Sequence, residues 1–393
     1  MLSGVKVLDL THYISGPYCT QLLVQLGAEV LKVEKPVVGD GSRQLGPFYR
    51  DNAGIETSAL YLLLNTGKRS ITLNLKSETG KEFLLKLVKW ADIIVENFAP
   101  GEMEKLGLGY EILSQVNPKL IMTSISNFGQ SGPYRDYKAN ELILLALSGV
   151  MYMTGPYEKP VKYGLYQMQY MAGSEAATAI IAMYYAREIN GGNGDYIDVP
   201  IVESMKHYVN NHGSYYSYMG AIRGRLAKVP DMIDMILPVK DGYVAPVFFG
   251  YVDWSEFCTM LESPELDISK FSDAKSRRVN RKELTDLLVK KFSKFNKFDL
   301  VSMAQDWRFP FGMVQTAKDI MTCPQLDDRE YYVELDHPVV GHLKYPGVPF
   351  KMTESPMEIA GRAPLLGEHN EHYYSWLGCS PAEIEHMESE GVI

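Results

Sequence analysis

Short apolar runs alternate with amphipathic stretches along the first third of the chain. Val5–Leu10 (VKVLDL) is an apolar run of strand length, and Gly16-Pro17 then opens YCTQLLVQLGA. Proline suits an early helical position, where its missing N–H would have no partner anyway. Glu29–Glu34 (EVLKVE) is the next strand. Strand, helix and strand at this spacing form a βαβ unit, which joins two parallel strands. Arg69–Leu75 (RSITLNL) supplies a third strand. Ser77–Ala91 (SETGKEFLLKLVKWA) has the period of an amphipathic helix, with Ser77 as N-cap and Gly80 as a weak point inside it. Asp92–Phe98 and Lys119–Ser126 are further strands, with helices around Met103 and over Glu111–Val116. The order predicts an α/β fold with a Rossmann-like layer.

From Ala139 to Met205 the chain becomes more helical and more apolar, and GGNGDYIDV (Gly191–Val199) reads as a turn entering a strand. The stretch from about Met219 to Gln325 reads as a smaller domain, with a hairpin centred on Lys240–Gly242 and charged helices in SRRVNRKELTDLLVKKFSKF. The remaining residues return to strands and turns before a short terminal helix. A chain of 393 residues is long for one core, which agrees with one large and one small domain.

Composition narrows the function classes. With 46% hydrophobic and 22% charged residues the chain has ample material for a core. Its net charge of −9 argues against nucleic acid or an anionic membrane as a main partner, while leaving room for a local basic pocket. Cys19, Cys258, Cys323 and Cys379 are far apart and form no CxxC pair, so neither a zinc site nor a disulfide framework is expected, and a reduced compartment fits. The N-terminus lacks a signal-peptide pattern, and no apolar run reaches the roughly 18 residues of a membrane span. These features predict a cytoplasmic protein.

Several familiar motifs are missing. The first βα turn, THYISGPYC, lacks GxGxxG, which disfavours a nicotinamide dinucleotide, and GQSGP has the wrong spacing for a nucleophile elbow. His369 and His372 stand at i, i+3 without an evident third ligand, so a solvated loop and no metal are expected there. More telling are residues at the predicted strand ends: Lys35, Lys68, Arg69, Lys76, Asn97, Phe98, Lys105, Lys138 and Glu141. Ligands of open α/β sheets bind beyond the carboxyl ends of the strands. Cations and backbone N–H groups there suit the phosphates of a nucleotide, with its base against Phe98; ordinary surface lysines are the alternative.

These segments, in this order, resemble the family III CoA-transferases, the group of formyl-CoA transferase and carnitine CoA-transferase. The matching pieces include GVKVLDLTHYISGPYCTQLLVQLGAEVLKVEKP, GDGSR, NTGKRSITLNLKSETGKE, ADIIVENFAPGEMEKLGLGYEIL and NPKLIMTSISNFGQSGP, with APLLGEHN and LGCSPAEIEHMESEGVI near the end. The resemblance implies a large Rossmann-like domain from residues 1–218 and 326–393, a small α/β domain from 219–325, and two chains interlocked like links. It implies coenzyme A as substrate with no prosthetic group. The CoA contacts carried over by position are His12, Ser15, Lys35, Leu73, Lys76, Asn97, Phe98, Lys105 and Lys138.

Chemistry in that family rests on an aspartate whose carboxylate attacks the thioester carbonyl. The aspartate stands four residues before a glycine, on the helix after a PVxxG strand. Here the strand is KPVKYG, the glycine is Gly173, and the residue four before it is Gln169. No Asp or Glu lies between Glu158 and Glu175, so a small shift of register finds no carboxylate. Glu175 is six residues on, about 1.7 turns away and on another face. Ile14 and Asn140 also depart from formyl-CoA transferase, where a glutamine and a tyrosine stand, while Glu141 is retained.

Two expectations follow. In the first, this chain is the non-catalytic partner of a catalytic paralogue in a heteromeric CoA-transferase, as in the benzylsuccinate CoA-transferase of anaerobic toluene breakdown, moving CoA from a thioester such as succinyl-CoA to a carboxylic acid. In the second, the chain alone is an acyl-CoA enzyme, a transferase or isomerase, with Glu141 as substitute carboxylate. A racemase does not fit, because YKANELIL has no histidine and the aspartate is absent. YGLYQMQYM and HGSYYSYMG are either pocket lining for a bulky acid or core.

Overall fold

A computed structural model describes the chain except residues 157–158, 209, 223, 226–235 and 248–252, and leaves the side chains of 208 and 210–212 undescribed. The described residues form two compact units, Met1–Gly224 with Glu330–Ile393, and Arg225–Arg329.

The larger unit is built on β1 (Lys6–Asp9), α1 (Ser15–Gln25), β2 (Glu29–Glu34), α2 (Ala59–Leu64), β3 (Arg69–Thr72), α3 (Glu78–Trp90), β4 (Ile93–Glu96), α4 (Glu102–Lys105), α5 (Tyr110–Val116), β5 (Ile121–Ser126), α6 (Glu141–Ser148), α7 (Val150–Met153), α8 (Gln167–Asn190) and β6 (Tyr196–Pro200). The strands form one six-stranded sheet in the order β3-β2-β1-β4-β5-β6. Every pairing is parallel, with Leu8 opposite both Leu31 and Ile94. This is the Rossmann-like arrangement, and its strand order reverses between β1 and β4. The segments leaving those two strands therefore flank the crevice where such sheets take ligands.

Side chains alternate across the sheet, as a period of two requires. Val7, Ile93, Val95 and Ile121 pack on one face against Leu23 of α1 and Ala172, Ala176 and Ile180 of α8. Leu8, Leu31, Ile94 and Met122 pack on the other against Leu84, Leu87 and Val88 of α3 and the buried Tyr373 and Tyr374. The ladders are shorter than the apolar runs. Leu10, Leu73, Leu75, Asn97 and Phe98 fall past their ends and turn into the loops above the sheet.

Three local readings need correction. Gly80 is not a weak point in α3: a Cβ there would lie 2.0 Å from the Asn74 carbonyl oxygen, so only glycine fits beneath the cap that Ser77 makes. KPVKYG forms no strand; its segment runs as coil and turn into α8. His369 is not in a solvated loop, since its Nδ1 accepts the Ser70 N–H at 3.2 Å while Asn370 Oδ1 accepts the Thr72 N–H at 2.9 Å. These bonds, with the Tyr374 hydroxyl donating to the Thr72 carbonyl at 2.6 Å, tie the C-terminal segment along the edge strand β3.

In the smaller unit a hairpin of Leu237–Val239 and Gly242–Pro246 is joined by Phe311–Met313, all antiparallel. Phe257, Leu284, Leu288, Phe292 and Leu300 form its core. Among the described residues no helix is long and apolar enough to cross a membrane.

Candidate active site

The turn after β1 rests on buried charge. Asp9 Oδ1 accepts the Thr11 N–H at 2.9 Å and the Thr11 hydroxyl at 2.5 Å, and Oδ2 pairs with Lys68 Nζ at 3.0 Å. Lys32 Nζ donates to the Thr11 carbonyl at 2.8 Å and pairs with Asp40 Oδ2 at 2.7 Å. Asp40 Oδ1 in turn accepts the Tyr13 N–H at 2.9 Å and the Ser42 N–H at 2.7 Å. Burial favours a neutral Asp9 carboxyl, but Lys32, Lys68 and the threonine hydroxyls outweigh it and hold the group well below its usual range. Burial pushes Lys68 down to about 8 even with Asp9 beside it. Lys68, a strand-end cation, thus works inside the fold and not on a ligand.

The β2 end is held in the same manner. The Glu34 carboxylate takes Arg43 Nε at 2.7 Å and Nη2 at 3.0 Å, the Ser70 hydroxyl at 2.7 Å, the Tyr61 hydroxyl at 3.0 Å and the Asp40 N–H at 2.9 Å. The GDGSR segment is thereby fixed to the sheet, and Lys35 is left exposed at its start. Across the crevice the Asn97 carboxamide accepts the His12 N–H at 2.8 Å and donates to the His12 carbonyl at 2.7 Å. Asn97 is therefore at least half occupied in locking the β1 and β4 ends together. Burial lowers the His12 pKa and favours its neutral imidazole. Its ring lies 5.9 Å from that of Phe98, whose N–H donates to Glu96 Oε2 at 2.7 Å. Burial raises the Glu96 carboxyl to about 7.

Two cavities open over these loops. One, of about 660 Å³, is lined by His12, Lys35, Leu73, Lys76 and Phe98 among others. The second, of about 720 Å³, is lined by Ile14, Ser15, Asn97, Phe98, Lys105, Arg135, Lys138, Asn140, Glu141, Tyr166 and Gln169 among others. Phe98, Ala99 and Glu102 line both, so the cavities adjoin. The nine residues carried over for CoA contact, with Glu141 and Gln169, line one or the other, whereas the strand-end cations Lys68 and Arg69 line neither. Lys105 is ion-paired to Glu102 one turn away.

The far end of the second cavity is made where α6 meets α8. Glu141, in the first turn of α6, is buried, and its Oε1 accepts the Met168 N–H at 2.9 Å. The backbone N–H groups of Met168 and Gln169 hold its pKa down against burial. A carboxylate at a helix N-terminus satisfies N–H groups that have no partner within the helix. Glu141 Oε2 is buried without a hydrogen-bond partner, and burial raises the pKa of the group. Gln169 is half-buried beside it, one turn before Gly173. A Cβ at Gly173 would lie 2.5 Å from the Ser15 carbonyl oxygen, so this glycine lets α8 approach the start of α1 and brings Gln169 over Ile14 and Ser15. Glu175 lines a different hollow with Glu203 and His207. Of the tyrosine-rich stretches, Tyr166 lines the cavity, whereas Tyr216 and Tyr218 are exposed.

Sequence reasoning missed Arg135 and Tyr137, which line the second cavity from the loop before α6. The only signal was a basic residue inside the GPYRDY turn. Among the described residues no group of three or more His, Cys, Asp or Glu is placed to hold a metal ion.

Comparison with known proteins decides the family. Residues 2–370 match CoA-transferase family III. The chain belongs to that family. It is 35% identical to succinyl-CoA:mesaconate CoA-transferase of Haloarcula marismortui over 94% of this chain and 94% of the relative. It is 32% identical to human succinyl-CoA:glutarate CoA-transferase, covering 94% of this chain and 84% of that protein. It is 31% identical to subunit BbsE of succinyl-CoA:(R)-benzylsuccinate CoA-transferase from Thauera aromatica, covering 100% of this chain and 98% of BbsE. Among solved structures, a CAIB/BAIF family protein from Brucella suis superposes with a TM-score of 0.87 at 30% identity, covering 96% of this chain and 99% of that one. The family III assignment makes the paired cavities candidates for the two ends of a CoA thioester.

Proposed function

We propose that this chain is the CoA-thioester-binding but non-acylated subunit of a heteromeric family III CoA-transferase, interlocked with a catalytic paralogue in the cytoplasm. The observation that carries the reading is Gln169, an amide at the point of the acyl cavity where the family's chemistry needs a carboxylate. The nucleotide end of CoA lies in the cavity of His12, Lys35, Leu73 and Lys76, with the exposed lysines on its phosphates. Its thiol end passes Phe98 toward Ser15, Asn97, Lys105 and Lys138, and the thioester reaches Gln169.

The transfer explains why the amide matters. A carboxylate oxygen attacks the thioester carbon, the C–S bond breaks, and CoA leaves as thiolate from a mixed anhydride. The thiolate then attacks the enzyme's own acyl carbon, releasing the donor acid and leaving an enzyme–CoA thioester. The acceptor carboxylate attacks that thioester carbon, CoA leaves again as thiolate from a second mixed anhydride, and the thiolate attacks the acceptor's acyl carbon, forming the product and freeing the enzyme carboxylate. The Gln169 amide nitrogen has its lone pair delocalised into the carbonyl and starts no such sequence; its N–H can only hydrogen-bond the thioester oxygen. The BbsE relative, itself a subunit of a transferase, supports a division of labour.

A second reading has Glu141 as nucleophile, favoured by its unpartnered Oε2 in the same cavity. Against it stands Oε1, engaged at the start of α8, which holds the carboxylate in place. Native mass spectrometry of the tagged protein from its own organism separates the two. A 1:1 complex with a second chain of similar size is expected. A homodimer that transfers CoA, and loses that activity with Glu141→Gln, would establish the second reading.

A further inference from the structure

The acyl cavity carries a cation that the transfer chemistry does not use. Its charged lining residues are Glu102, Lys105, Arg135, Asp136, Lys138 and Glu141. Lys105 is paired with Glu102, and Glu141 is engaged by the α8 N-terminus. Arg135 stands differently. Its Nε is buried with no hydrogen-bond partner, and its sole ion pair among the described residues is to Asp136 at 3.8 Å, with the Asp136 side chain 78% exposed. Such an exposed pair is weak.

The guanidinium is nevertheless held in place. The Arg135 N–H bonds to the Gly132 carbonyl at 3.2 Å and the Tyr137 N–H to the Tyr134 carbonyl at 2.9 Å, making a compact turn. The Tyr134 and Tyr137 rings stack at 4.8 Å, and both pack against Phe128. On the other side the guanidinium lies against Gly101, where a Cβ would be 2.8 Å from Nη2 and the backbone is left-handed (φ +83°). Arg135 lines the cavity with its side chain 37% exposed, and its planar guanidinium can grip a carboxylate through two parallel bonds. A purely hydrocarbon acyl group would offer the exposed part of the guanidinium no partner.

We propose that Arg135 is a specificity-determining residue, binding the free carboxylate of a dicarboxylic acyl group whose other carboxyl carries CoA. The inference rests on the reading of the groove as a CoA-thioester site. The phosphates of CoA have Lys35 and Lys76 in the neighbouring cavity, so the acyl-end cation is assigned to the acyl group.

The test is isothermal titration of the full chain with succinyl-CoA and with butyryl-CoA, which share a four-carbon chain and differ in a terminal carboxylate against a methyl group. Wild type is expected to bind succinyl-CoA tighter on the order of tenfold, the worth of one charge-assisted pair. Arg135→Gln is expected to bring the two affinities together by weakening succinyl-CoA only. Arg135→Lys, which keeps the charge without the fork, is expected to restore part of the preference. Absence of preference in wild type with butyryl-CoA still bound, or a preference that survives Arg135→Gln, overturns the inference alone. Equal weakening of both thioesters in Arg135→Gln overturns it as well, and places the guanidinium on a CoA phosphate. If neither thioester nor free CoA binds wild type, the reading of the groove fails, and this inference with it.

Discussion

The two cavities are walled in different ways. Around the proposed nucleotide cavity the loops hang on Asp9, Glu34 and Asp40, each a buried carboxylate with several donors, which leaves the exposed Lys35 and Lys76 as its cations for a ligand. At the far end of the acyl cavity a single carboxylate, Glu141, joins α6 to α8 with one oxygen unpartnered, and the neighbouring reactive position is an amide. The binding end is determined many times over, while the chemical end hinges on one side chain. On the proposed reading, an amide in place of a carboxylate at position 169 silences acylation without disturbing the surface proposed to hold CoA.

The largest effect should come from reversing that exchange. Gln169→Asp is expected to turn an inert chain into one that forms a covalent adduct with succinyl-CoA, read by intact mass. A variant that stays inert spreads the loss of chemistry to Ile14 and Asn140 as well. Next comes Glu96 under Phe98, where the cavities meet. Its carboxyl rises from 4.5 to about 7 on folding, so the native state holds a proton that the unfolded chain releases in that interval. Its contribution to stability is full below 4.5 and is lost as pH rises through about 7, up to ~3 kcal/mol. Melting curves should show wild type losing stability across that interval more steeply than Glu96→Gln; equal slopes would remove Glu96 from the account.

Gly173→Ala tests how the acyl end is assembled. A methyl group pressed onto the Ser15 carbonyl should cost ~1–3 kcal/mol in denaturant unfolding. An unchanged midpoint would mean that α8 has room to move away from α1. The smallest effect belongs to the nucleotide end. Lys76→Ala should weaken CoA binding about three- to fivefold, less at high salt, since one exposed cation on a phosphate contributes under ~1 kcal/mol. A loss that is independent of salt would argue against a phosphate contact.

Much of this was legible in the sequence because the strands are short, apolar and regularly spaced. Glu29–Glu34 has the bounds its pattern gives, and the strand-end cations Lys35 and Lys76 line a cavity. What periodicity could not reveal was which polar residues turn inward. Lys32 reads as a charge within a strand and Lys68 as a strand-end cation for a ligand, yet both are buried in carboxylate networks that only the folded loops bring together. Gly80 looks poor by helix propensity, which ignores the Asn74 carbonyl above it. KPVKYG has strand-like residues but no neighbouring strand to pair with, and it stays irregular. Nothing local marks Arg135 as a cavity residue, because its place depends on Gly101, distant in sequence, lying against it.

On the proposed reading, this chain holds a CoA thioester without becoming acylated. The most direct test is intact-mass measurement of the purified chain after incubation with succinyl-CoA, alone and in its native complex. An unchanged mass is expected for this chain in both cases, with any covalent adduct on the second subunit. A covalent adduct on this chain, whether at Glu141 or elsewhere, would contradict it.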